Sequence, residues 1–199
     1  MPVIFGCTLI LIILIRYETK KHAGNTKETI DDFFKKELEA NTTRKKDISG
    51  LPYLTACIDT LPDFSGIADP EKEVTVAFKA LQALNGKPML NLSGISNTDL
   101  KLAYGAANFP FLSECDSTFT LFTRELQHLG RALHEAGADR EAAETLQYAV
   151  DLGSDIISTY RLLAFLYQSL GDTSALTALR TKAATLPDEI RQSVLPFIV

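Results

Sequence analysis

The sequence predicts an all-α protein: an N-terminal single transmembrane helix, then a helical domain that ends in two copies of a helix-turn-helix unit. Three observations predict it. The first fifteen residues are almost wholly apolar, later apolar residues recur at helical spacing, and a pattern of large, small and glycine positions between residues 123 and 190 returns 34 residues on. With 199 residues, 46% hydrophobic and 23% charged, the chain has room for one domain of ordinary size plus an anchor and linker.

Met1 to Ile15 carries no charge, and Leu9 to Ile15 is purely aliphatic. As a helix rising about 1.5 Å per residue it covers roughly 22 Å, against about 30 Å of hydrocarbon. That length also suits a secretory signal, but nothing basic precedes the run and bulky Arg16-Tyr17 follows it, where a cleaved signal has small residues. Arg16 can snorkel and Tyr17 can sit at the interface, which lengthens the reach. Residues 1–17 are therefore expected to anchor the chain in the membrane by a single pass. Arg16, Lys20, Lys21 and Lys27 all follow the span, so the positive-inside rule places the body in the cytoplasm, at the cell membrane.

Residues 18–69 are expected to form a juxtamembrane amphipathic helix and an extended linker. From Thr26 to about Asn41, Ile30, Phe33, Phe34 and Leu38 fall at i, i+3, i+4 and i+8 on an otherwise charged helix. Its polar positions mix Lys27, Lys35 and Lys36 with Glu28, Asp31, Asp32, Glu37 and Glu39, which leaves lipid, the body or a partner helix as cover for the stripe. Gly50, Pro52, Pro62, Gly66 and Pro70 then interrupt the chain too often for a helix.

Residues 70–199 form the helical domain. Asp69 is expected to cap a helix with Pro70 as its first residue and Val74, Phe78, Leu81 and Leu84 buried, ending at Asn85-Gly86. The polar stretch Asn91 to Asp99 should cap a short helix from about Thr98 to Ala106. Asp116 or Ser117 is the expected cap of the long helix reaching Ala136, Asp139 of the next, Ser154 or Asp155 of the third and Asp172 of the fourth. Residues 187–199 should add a short closing helix.

Within this domain Leu126, Leu129, Leu133, Gly137 and Ala149 return as Tyr160, Leu163, Tyr167, Gly171 and Ala183, giving repeats of about 123–156 and 157–190. Gly130, Ala142, Leu146 and, in the second copy, Ala164 complete a pattern that resembles the tetratricopeptide (TPR) repeat, over about a third of the chain. The pattern is broken at Leu176 and Arg180, where small and apolar residues are expected, and at Asp139 and Thr173, which replace an aromatic. Two repeats are fewer than the three or so such a stack needs, so residues 70–122 must supply packing surface. The resemblance implies that the first helix of each repeat lines an inner, partner-binding face. Carried over by position, the candidates are Gln127, Arg131 and His134 in the first repeat and Arg161, Phe165 and Gln168 in the second. Arginine there suits an acidic or carboxylate-ended peptide, because guanidinium offers paired bonds to carboxylate. The Lys/Asn clamp of chaperone-binding members is not matched.

Elsewhere, Ala40 to Ile48, Leu51-Pro52-Tyr53 and Asn91 to Pro110 resemble a family of membrane-anchored bacterial proteins with TPR-like C-termini. That likeness implies an anchored, bacterial setting and supplies no mechanism.

The remaining features argue against chemistry. Residues 1–60 carry nine Lys/Arg against eight Asp/Glu and residues 61–199 eleven against seventeen, an acidic body unsuited to a nucleic-acid backbone. Cys7, Cys57 and Cys115 are odd in number and widely spaced, which supports neither a disulfide framework nor a zinc site. No phosphate-binding, zinc-protease or nucleophile-elbow motif occurs. Glu125-x-x-His128 has di-iron spacing without the second pair it needs, and His134 follows His128 by about 240° round the helix axis, too far round to share a metal with it. The expectation is a membrane-anchored cytoplasmic adaptor or scaffold that binds a protein or peptide, not an enzyme, with no cofactor or metal. The alternatives are a membrane-associated enzyme with a site at Asn91 to Asp99, Tyr104 and Asn108, or a self-assembly module; oligomeric state stays open.

Overall fold

The computed structural model describes residues 30–69 and 72–198. In chain order these form helix α1 (30–42), strand β1 (Leu54–Thr55), α2 (Glu73–Leu84), β2 (Pro88–Met89), α3 (Asn97–Tyr104), α4 (Phe109–Glu135), α5 (Asp139–Asp151), α6 (Ile157–Leu170), α7 (Thr173–Ala183) and α8 (Asp188–Val194). Single turns of 3-10 helix precede α4 and follow α8. The described chain is thus mostly helical, with Leu54 opposite Met89 and Thr55 opposite Pro88 in one short antiparallel pair. Among the described residues no helix is long and apolar enough to cross a membrane. The expected anchor at 1–17, the start of the juxtamembrane helix and Pro70 lie outside them.

The chain divides into two compact units, one drawing on 30–50 and 94–110, the other on 51–69, 72–93 and 111–198. In the first, α3 starts at the extended residue Ser96, whose hydroxyl accepts the Asp99 N–H at 3.1 Å. Next to it α1 is held by polar contacts. Lys36 pairs with Asp99 at 2.7 Å, Lys101 donates to Glu37 at 2.7 Å and to Asn41 at 2.8 Å, and the Thr98 hydroxyl donates to Glu37. Ala40, one turn after Lys36, is buried. Buried Asn108 then donates to the carbonyls of Lys46 and Tyr104, both at 2.7 Å, which fixes the chain after α1 against the end of α3. At Gly105, where φ is +91°, a Cβ would lie 2.3 Å from the Arg44 carbonyl oxygen, so only glycine lets the two backbones meet.

In the second unit α2 begins at Glu73 with Lys72, not Asp69, at the capping position, and the Asp69 carboxylate accepts the N–H groups of Val74 and Thr75 at 3.3 and 2.8 Å from three residues further upstream. Other expected caps act differently. The helix assigned to Asp116 or Ser117 begins at Phe109, because Pro110 is well placed in a first turn that has no use for its N–H, and Asp116 instead accepts the Leu92 N–H at 3.0 Å. Asp139 is the first residue of α5 after Ala138, and α6 starts at Ile157 after Ile156, so neither Asp139 nor Ser154 or Asp155 occupies the capping position. Asp172 caps α7 as its spacing suggests, accepting the Ala175 N–H at 2.9 Å.

The recurrence survives in three dimensions as matched environments. Leu126 and Tyr160, Leu129 and Leu163, Leu133 and Tyr167, and Ala149 and Ala183 are all buried, while Gly137 and Gly171 turn the chain at φ +79° and +71°. The two copies differ where the sequence departs from its own pattern. Gly130 leaves room for buried Leu146, since a Cβ would lie 2.5 Å from its Cγ and Cδ2. At the equivalent places stand Ala164 and Arg180, and Arg180 reaches the Ile198 carbonyl instead of the core.

Gly130→Ala should therefore destabilise the protein by about 1–2 kcal/mol, since overpacking outweighs the roughly 1 kcal/mol that alanine adds in helix propensity. Adding Leu146→Ala should cost less than the sum of the single changes in chemical denaturation. In the first unit, hydrogen bonds from Lys101 and then Thr98 hold Glu37 below its ordinary 4.5, and those from Lys36 and then Ser96 hold Asp99 below 3.8. Both folded values are depressed, so this stabilisation is fully present above the unfolded values and is lost as pH falls through the folded ones. Protection factors of the α1 amides, taken against the intrinsic exchange rate at each pH, are expected to fall in acid as the pH drops through that window and to be flat above it.

Candidate partner-binding face

Gln127, Arg131 and His134 lie on α4, and Arg161, Phe165 and Gln168 on α6, each set spaced by three and four residues and so on one helix face. Their surroundings differ. Gln127 is half-buried, and exposed Arg131 pairs along its own helix with Glu135 at 3.1 Å. His134 Nδ1 meets Asp139 at 2.6 Å, and its ring stands edge-on to Phe165 with centroids 5.6 Å apart. Phe165 remains 50% exposed.

Arg161 and Gln168 are engaged by the C-terminal segment. Arg161 Nε and Nη2 donate to the Ser193 carbonyl at 3.3 and 2.9 Å, and the guanidinium stacks 4.1 Å from the Phe197 centroid. Gln168 donates to the Phe197 carbonyl at 3.4 Å. Val194 and Ile198 are buried on either side, so α8 and the turn after it are tied to α6 by both apolar and polar contacts. The result is a continuous strip, His134, Phe165, Arg161 and Phe197, in which two rings stay half exposed. A carboxylate arriving at Arg161 would meet only the edge not already used by Ser193.

Sequence reasoning missed Phe197, because its role depends on a fold-back that no local spacing encodes. It also missed a cleft of about 740 Å³ whose wall includes Arg140, Glu144, Gln147, Tyr148, Asp151 and Tyr167. There the Tyr167 hydroxyl donates to Gln147 at 2.7 Å, and Gln147 donates to Asp151 at 2.8 Å. Burial, then Asp172, Asp151 and Glu144, push the Tyr167 hydroxyl up to about 12. It is a fixed donor at neutral pH, and neither histidine nor cysteine lines this cleft.

Three of the groups considered for a catalytic loop are engaged in holding the fold. Asp99 serves Ser96 and Lys36, Asn108 bridges two carbonyls, and Asn91 donates to the Gly153 carbonyl at 3.2 Å. Buried Cys115 has its thiol pushed up by burial and then by Glu114, the reverse of an activated nucleophile. His128 sits 3.2 Å from Glu125, and among the described residues no group of three or more His, Cys, Asp or Glu could hold a metal. No family model, curated protein or solved structure matches the chain.

Arg161→Ala removes the shared hydrogen bonds and the stacking on Phe197, a loss of about 1–2 kcal/mol. Trypsin cleavage after Arg191 should quicken in this variant, and Arg161→Lys should fall between it and the parent.

Proposed function

We propose that the chain is a membrane-anchored, cytoplasmic adaptor of tetratricopeptide type, and that it binds a protein or peptide along the inner face of α4 and α6. The 34-residue recurrence supports the repeat assignment, and the N-terminal apolar run with its basic flank supports the anchor and orientation. The observation that carries the binding reading is the strip formed by His134, Phe165, Arg161 and Phe197. Its two phenylalanine rings stay half in water, and exposed aromatics beside arginine are residue types enriched at interfaces.

Because Arg161 and Arg131 already have internal partners, a ligand on this strip would gain more from stacking and apolar contact than from paired charge. An acidic peptide would still be favoured at longer range if it approached Arg131, whose ion pair with Glu135 is exposed and weak. The conformation of α6 needs no change for either contact.

A photo-crosslinking residue at Phe165 in the full chain, expressed in cells, tests the reading. A discrete adduct is expected there and not with the same residue at exposed Ala178 on α7. Equal labelling at the two positions, or none at Phe165, would contradict it.

A further inference from the structure

An amphipathic helix on a protein body normally docks through its apolar stripe and shows its charges to water. Helix α1 does the reverse. The rows that hold it to α3 are Lys36 with Ala40 and Glu37 with Asn41, through the 2.7 Å pairs to Asp99 and Lys101 and the 2.8 Å bond to Asn41. The row Ile30, Phe34 and Leu38 faces solvent, with Phe34 64% and Leu38 68% exposed, and Phe33 stands edge-on to Phe34 beside it. The polar clasp fixes the helix on α3 so that four large apolar side chains, Ile30, Phe33, Phe34 and Leu38, stay uncovered by the unit that holds it.

We propose that this stripe lies in the headgroup–acyl boundary of a lipid bilayer, so that α1 rests flat on the membrane surface. The inference rests on the anchored reading given above, which it deepens. Two facts choose lipid over another protein. Fourteen residues, 16–29, separate Ile15 at the end of the apolar run from Ile30, and even fully extended they reach at most about 50 Å, so a membrane-inserted run keeps the stripe at high local concentration near lipid. That connector carries Arg16, Lys20, Lys21 and Lys27 against Glu18 and Glu28, a charge that draws it to anionic headgroups. Asp31, Asp32 and Glu39 on α1 itself oppose anionic lipid, so apolar insertion and the tether, not the helix charge, supply the attachment.

The chain contains no tryptophan, so Phe34→Trp and, as a control on α2, Val76→Trp each give one reporter in the full chain. Each protein is reconstituted into phosphatidylcholine–phosphatidylglycerol vesicles with and without brominated acyl chains. Tryptophan at 34 is expected to emit at shorter wavelength and to lose about half of its emission to the brominated lipid, while tryptophan at 76 does neither. Emission from position 34 that stays water-like overturns the inference. So does a blue shift without quenching, which would mean that a second copy or another protein covers the stripe. The anchor is read separately, by retention of the same proteins on vesicles after an alkaline carbonate wash. Retention without quenching overturns the stripe proposal and leaves the anchor standing; release by the wash overturns the anchor whatever position 34 reports.

Discussion

Tyr160 heads the fully buried side chains by volume, and its hydroxyl donates to the Ser154 carbonyl at 2.9 Å. The bond joins the first turn of α6 to the turn that brings α6 back onto α5. Burial, then Asp155 and Asp151, push the hydroxyl up to about 12, so it remains a donor across the physiological range. A buried carbonyl without this partner would carry an uncompensated desolvation cost of about 1–3 kcal/mol. With it, the ring fills the place in the second hairpin that Leu126 fills in the first, and Leu129, Leu133 and Leu146 share one core with Leu163, Leu166 and Tyr167. The face that carries Phe165 is defined by this core, since Phe165 lies five residues after Tyr160, about 140° round α6, and burial of the tyrosine turns the phenylalanine towards solvent.

Two different ways of fixing a surface coexist in the chain. On α6 the apolar side is buried and a small aromatic strip is left over, partly covered by Phe197. On α1 the polar side is the one that binds, and the apolar side is left over. The first arrangement is ordinary for a packed helix and yields a limited patch. The second keeps a larger apolar row in water. The ion pairs that hold α1 are partly solvated and individually modest, so the clasp works by the combination of Lys36, Glu37, Asn41 and buried Ala40.

The helical class and the 34-residue recurrence were legible because they are written in residue size: a buried ladder needs Leu or Tyr at fixed intervals, and a tight turn needs Gly137 and Gly171. The amphipathic pattern of α1 was equally visible. Which side of it docks was not, since periodicity measures where apolar residues lie and is blind to Asp99 and Lys101 waiting some sixty residues away. Capping was misread at Asp116 and Asp139 for a related reason. A short carboxylate ahead of a periodic run looks the same whether it accepts from its own helix or from Leu92 or His134. The candidate face was half legible: α4 and α6 supplied the residues, but the engagement of Arg161 and Gln168 by Ser193 and Phe197 runs through backbone carbonyls, which every residue has and no sequence pattern marks.

Because the two hairpins share one core, they should open as one cooperative body and hold the face on α4 and α6 rigid as a whole. Hydrogen exchange on Tyr160→Phe, which removes one buried hydroxyl and keeps the ring, tests it most directly. The slowest amides of α4 and α5 are expected to accelerate by the same factor as those of α6, roughly five- to tenfold for a loss of about 1 kcal/mol or slightly more. Acceleration confined to α6 and the residues after it, with α4 and α5 unchanged, would contradict it.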